Sequence, residues 1–204
     1  MAKTNDELLA ILSQFALEEK VVSAEPFGNG HINDTLKVTT DKGEIKYVLQ
    51  RINHLVFTNV EMLQHNIHVV TTHIREKLEA KGETDIDRKV LTFLPTKDGK
   101  YYYFDGDSYW RVCLFIPRSK SYEEVTPELS YEAGKAFGDF QLMLSDLPEG
   151  SLGETIPNFH NMEFRLQQFH EAVEANAAGR LEEVKDLVEE IEKNHHTYAN
   201  PFGN

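Results

Sequence analysis

A chain of 204 residues, 40% of them hydrophobic, is long enough to bury the core of one domain or one and a half. With 34 Asp and Glu against 21 Lys and Arg it carries a formal charge of −13, which argues against a basic face and against a nucleic-acid partner. No long apolar run is present to cross a membrane, "MAKTNDELLA" has no secretory pattern, and the single Cys113 admits no internal disulfide, so the expected setting is cytoplasmic with no membrane partner.

Thr4-Asn5-Asp6-Glu7 is a capping-box pattern, and Leu8, Leu9, Ile11, Leu12 and Phe15 follow on helical spacing, predicting a helix over 4–19. From 20 to 53 the period changes to that of strands. Strands are expected over 21–27, 31–39 and 45–52. Asn29-Gly30 reads as a hairpin turn, because both central residues of the favoured two-residue turn need positive φ, and Asp41-Lys42-Gly43 makes the next turn. Val60, Leu63, Ile67, Val70, Ile74 and Leu78 recur at steps of three and four, predicting a helix over 59–80 that Gly82 ends. Strand-like pieces over 89–94, 100–104 and 108–115 are separated by Lys97-Asp98-Gly99 and Asp105-Gly106-Asp107.

After Pro117 the chain becomes polar. Thr126-Pro127 starts a helix that carries Leu129, Ala133, Phe137, Phe140 and Leu144, and two more helices follow, from Met162 and over "GRLEEVKDLVEEIEKN". On the last, Leu181, Val184, Leu187, Val188 and Ile191 are expected on one face. The fold class is therefore α+β: an antiparallel sheet of about five strands backed by a helix over 1–117, then a linker and a helical part over 118–204. His65 and His68 sit one turn apart, but no Cys or paired carboxylate joins them at ligand spacing, so no metal site is expected. The aromatic group Tyr101 to Phe104, Tyr109 and Trp110 is expected to pair across strands.

The runs "PFGNGHINDT", "KYVLQRIN", "VFTNVEMLQHNI", "YWRVCLFIP", "SYEEV", "YEAGKAFGDFQLML" and "IPNFHNMEFRLQQF" cover most of the chain in order. In them the sequence resembles the aminoglycoside-phosphotransferase-like branch of the protein-kinase-like phosphotransferases, most closely the bacterial N-acetylhexosamine 1-kinases. The resemblance implies a kinase small lobe followed by the first helices of a truncated helical lobe. It implies ATP as cofactor and an N-acetylated hexosamine as acceptor. An aminoglycoside, choline or homoserine acceptor, or a non-catalytic nucleotide-binding or interaction module, are the alternatives.

By the same resemblance Gly28, Asn29, Gly30, His31 and Asn33 form a lid over the phosphates, with Thr35 on the return strand. Phe115, Ile116 and Pro117 form the hinge at the adenine edge, and Val48 and Leu114 sandwich the ring. Gln50 stands where the family has the phosphate-pairing lysine of the third strand, so either its neutral amide meets the phosphates or the site compensates elsewhere. The family's His-x-Asp catalytic loop and acidic metal motif have no counterpart in these 204 residues. No catalytic residue is therefore assigned, and magnesium is expected only together with a fuller large lobe. Helical faces left uncovered at 127–145 and 181–191 are expected to favour self-association.

Overall fold

Thr4 accepts a hydrogen bond from the Glu7 N–H while the Glu7 carboxylate accepts one from the Thr4 N–H at 2.7 Å, so the capping box forms and starts α1, Asn5–Leu12. In the computed structural model, which describes residues 3–28, 30–122 and 124–199, α1 ends seven residues short of the expected 19. Ser13 caps it, and Phe15 leaves the helix to bridge to Thr96 and bury its ring. Tertiary burial of one aromatic side chain wins over continued helical spacing.

The sheet is antiparallel, with six strands: β1 Val21–Pro26, β2 Asp34–Thr40, β3 Ile45–Ile52, β4 Phe93–Leu94, β5 Tyr103–Phe104 and β6 Tyr109–Leu114. Its order is β1-β2-β3-β6-β4, and β5 pairs with β6. Alternation along β2, β3 and β6 sends Leu36 and Val38, Tyr47 and Leu49, and Trp110 and Val112 to one face, where they bury against Leu8, Ile11, Leu12 and Phe15. Leu12, Val38, Leu49 and Val112 are fully enclosed there. Each such side chain contributes roughly 1.5–3 kcal/mol.

The other face receives α2, Val60–Ala80, through Ile52 and Tyr109 against Val60, Leu63 and Ile67. Asn59 caps α2 at its start by accepting from the Met62 N–H at 2.9 Å. At its end Gly82 takes φ +70°, the Glu83 N–H donates to the Leu78 carbonyl at 3.0 Å, and the Gly82 N–H donates to Glu79 at 2.9 Å, a Schellman closure. After it Ile86–Arg88 forms a 3-10 turn, so the expected strand over 89–94 shrinks to its last two residues. The strand expected over 100–104 likewise shrinks to Tyr103–Phe104.

α3, Pro127–Leu144, starts at Thr126 as expected and packs Met143 and Leu144 against Ile74 and Leu78 of α2. It leaves Tyr131, Phe137 and Leu142 exposed. The segment after it is strapped along α2. Asn66 donates to the Gly153 carbonyl and accepts from the Gly153 N–H, and His73 and Lys77 both meet Asp146.

By compactness the chain falls into two units, Met1–Thr155 and Ile156–Asn204. In the second, α4 Met162–Ala175 is capped by Asn161, a 3-10 turn spans Leu181–Val184, and α5 is Lys185–Ala199. His170 of α4 meets Glu192 of α5 at 2.9 Å. Leu181, Val184, Val188 and Ile191 are half-buried, whereas Leu187, expected on the same face, is exposed. No helix of the described residues is long and apolar enough to cross a membrane.

Candidate functional site

The connection from β1 to β2 is longer than the two-residue turn expected from Asn29-Gly30. Phe27 still donates to the Thr35 carbonyl at 2.8 Å, and the strand resumes only at Asp34, so His31 and Asn33 are loop rather than strand. Gly28 takes the left-handed conformation, at φ +81°. Asn29 lies outside the described residues. Asn33 is a structural anchor, since its Oδ1 accepts from the Asn53 N–H at 2.9 Å and pins the loop to the end of β3.

Two cavities flank this region, one on each face of the sheet. The larger, about 670 Å³, opens on the α1 face and takes Gly28, Gly30, Asn33 and Thr35 into its wall beside Lys3, Arg51 and Trp110. The smaller, about 330 Å³, lies on the α2 face and is walled by Phe27, Val48, Gln50, Leu91, Phe93, Arg111, Cys113 and Leu114 to Ile116. The residues expected to form one site therefore divide. Val48, Gln50, Leu114, Phe115 and Ile116 come together, and Gly28, Gly30 and Asn33 line the opposite cavity. His31 lies on neither wall, and among the described hairpin residues only Phe27, which also lines the larger cavity, reaches the smaller one, its ring edge-on to Phe115 at 5.8 Å.

The expected hinge is partly engaged by the protein itself. The Phe115 N–H donates to the Lys46 carbonyl at 2.9 Å, the Ile116 carbonyl accepts from the Ser119 hydroxyl at 3.3 Å, and the Pro117 carbonyl accepts from the Arg88 guanidinium. Pro117 lies off the cavity wall. Among the described residues no hydrogen bond takes the Ile116 N–H. Leu114 pairs with Tyr47 and packs into the core on the α1 face, so the side chains that stand beside Val48 as apolar walls are Phe93, the partner of Cys113 on β4, and Leu91.

A polar row across three strands contributes Gln50 and Arg111 to the wall of the smaller cavity. Thr35, Gln50 and Arg111 stand in register on β2, β3 and β6. The Gln50 Nε2 donates to Thr35 Oγ1 at 2.9 Å, and its Oε1 accepts from Arg111 Nε at 2.9 Å and Nη2 at 2.5 Å. Because a guanidinium can only donate, the amide oxygen must face Arg111, which fixes the orientation of Gln50. The Gln50 side-chain carbonyl is thus engaged within the protein. Among the described residues the cation in this cavity's wall is Arg111, carried by a strand some sixty residues further along the chain. Arg51, next to Gln50, points to the other face and bonds Asp34 at 2.6 Å. The Arg111 guanidinium lies over the Phe93 ring, 5.3 Å from its centroid, and burial holds its pKa below the ordinary value.

No family model matches the sequence.

Burial pushes the Cys113 thiol on the cavity wall up to about 11, although the Arg111 charge acts in the opposite direction. Little thiolate exists at pH 8, so a disulfide reagent should modify native Cys113 on the order of 100-fold more slowly than an unfolded thiol. Timed thiol titration in buffer and in denaturant measures this, and equal rates would contradict the enclosure of Cys113. The histidines have ordinary partners: His54 packs edge-on to Tyr109, His65 meets the Ser151 carbonyl, His68 stacks on Tyr101 at 4.6 Å and His73 meets Asp146. Among the described residues no three His, Cys, Asp or Glu cluster as a metal site. Of the aromatic group, Tyr103 and Phe104 pair across strands with Trp110 and Tyr109, Tyr102 packs on Tyr109 from outside β5, and Tyr101 stacks instead on His68 of α2.

Proposed function

We propose that this chain is the ATP-binding portion of a small-molecule phosphotransferase of the protein-kinase-like type, whose acceptor is an N-acetylated hexosamine. The observation that carries the nucleotide reading is the smaller cavity. It gathers Val48 and Gln50 of β3, the Phe115-Ile116 edge and the hairpin residue Phe27 around one apolar slot with a cation in its wall. Its volume is at the lower end of ligand cavities, about 300–1,000 Å³. Flat walls from Val48, Leu91 and Phe93 suit a purine ring, the Ile116 N–H offers a donor at the edge, and Arg111 suits phosphate. ATP, when bound, supplies the transferable phosphoryl group. The protein's part here is to hold the ring and the phosphates. The acceptor class rests on the resemblance of the residue runs alone.

Titration of the full chain with ATP followed by thermal unfolding tests the reading. At a ligand concentration of about 100 Kd, binding to the folded state alone stabilises by about 2.7 kcal/mol, a rise in Tm of roughly 5–10 °C for a protein of this size. An unchanged Tm at millimolar ATP would overturn it.

A further inference from the structure

We propose that Arg111 is the anion-binding residue of the smaller cavity, receiving a phosphoryl oxygen of the bound nucleotide, with Gln50 as the positioning residue that holds it in place. The proposal rests on the nucleotide reading above and adds to it the group that meets the charge.

Several cations of the chain, Lys3, Lys46, Arg51, Arg75, Lys77 and Lys89 among them, stand within ion-pair distance of a carboxylate. Arg111, set into the sheet face, has no such pair among the described residues. Two of its nitrogens share one neutral amide oxygen, and its Nη1 is enclosed without any protein acceptor. A charge removed from water is unfavourable unless it is paired and its hydrogens are met. The arrangement is thus complete on one edge and unmet on the other. The row from Thr35 through Gln50 fixes the Nε edge, and the Phe93 ring fixes the plane. Arg111 lines the smaller cavity, and the Nη1 hydrogens are the ones that no protein acceptor takes. A phosphoryl group supplies both the missing charge and the acceptors, in the forked geometry that arginine favours.

The same chemistry could come from a nucleotide or from free phosphate, so the test uses adenosine, ADP, ATP and pyrophosphate. Calorimetric titration compares the full chain with its Arg111→Met and Arg111→Lys variants. The expected result is that Arg111→Met weakens ADP and ATP about 10- to 100-fold and adenosine less than about twofold, while Arg111→Lys recovers part of the loss. ADP bound equally well by Arg111→Met, or ADP and adenosine weakened alike by both variants, overturns the proposal. If the unaltered chain binds pyrophosphate through Arg111 but shows no affinity for adenosine and no preference for ADP, the anion site stands and the nucleotide reading falls. If it binds none of the four, both fall. Should Arg111→Met fail to fold by circular dichroism, Gln50→Leu decides. It keeps the charge and removes its anchor, and it should weaken ADP while sparing adenosine; unchanged ADP affinity overturns the positioning role.

Discussion

Replacing Asp105 by alanine is expected to destabilise the unit containing the sheet by about 2–4 kcal/mol, lowering Tm by roughly 5–15 °C. One carboxylate serves four donors. Its Oδ1 accepts from the Asp107 and Ser108 N–H groups at 3.0 and 2.8 Å, and its Oδ2 accepts from the Trp110 indole at 2.8 Å and pairs with Lys3 at 3.0 Å. Trp110 and Ser108 are 3% and 2% exposed, so neither the indole N–H nor the Ser108 N–H finds ready replacement in water. Burial alone would push the Asp105 carboxyl up. The backbone N–H of Ser108, the Lys3 ammonium, the Asp107 N–H and the indole together outweigh it and bring it down to about 2. A carboxyl depressed in the folded state stabilises fully above its ordinary value of about 3.9 and loses that contribution as pH falls through its folded value. The gap between the original chain and Asp105→Ala should therefore be constant near neutrality and narrow between about pH 4 and pH 2. Urea unfolding across that range measures both statements, and identical midpoints at pH 7 would refute the role assigned to Asp105.

The second large effect has the opposite sign. Gln64→Leu should stabilise the protein by about 1–3 kcal/mol. Gln64 sits on α2 at 4% exposure, and neither its amide nitrogen nor its oxygen meets a protein partner. It lies between apolar neighbours on the stripe, next to Leu63 and a turn from Val60 and Ile67. Leucine is similar in volume and propagates a helix as well as glutamine does, so the change removes two unmet polar atoms at little packing cost. Thermal unfolding of the variant reads the gain. A loss of stability would mean that enclosed water satisfies the amide, and Gln64 would then be a stabilising polar residue rather than a buried liability.

Much of the fold is legible in the residues because it is set locally. The capping box at Thr4 and Glu7, the apolar stripe of α2, Gly82 beyond it, and the alternation of Ile45–Ile52 each need only a few neighbours to specify them. What is not legible depends on partners far along the chain. Lys89 to Val90 has strand composition, but Val90 is drawn into the cluster of Ile74 and Leu78, and the 3-10 turn before it uses the length. The hairpin glycines suggest a lid, yet the sheet's two faces separate Gly28 and Gly30 from Gln50. Arg111 left a signal in "YWRVCL", where a lone cation interrupts apolar residues and shares the parity of Cys113 rather than of Trp110 and Val112. Its place opposite Gln50 follows from the β3–β6 register, across some sixty residues, which no local pattern carries.

The row of Thr35, Gln50 and Arg111 also discriminates between correct and incorrect assembly of the sheet. Apolar alternation alone penalises a one-residue slip of β3, because it turns Tyr47 and Leu49 out of the core, but a two-residue slip keeps every side chain on its proper face. Such a slip would set Val48 or Ile52 opposite Arg111, and the guanidinium would then lose the single acceptor that holds it. The near-miss alignment that hydrophobic patterning tolerates is thus raised in energy by one stranded cation, so the group assigned to ligand binding also proofreads the strands that carry it.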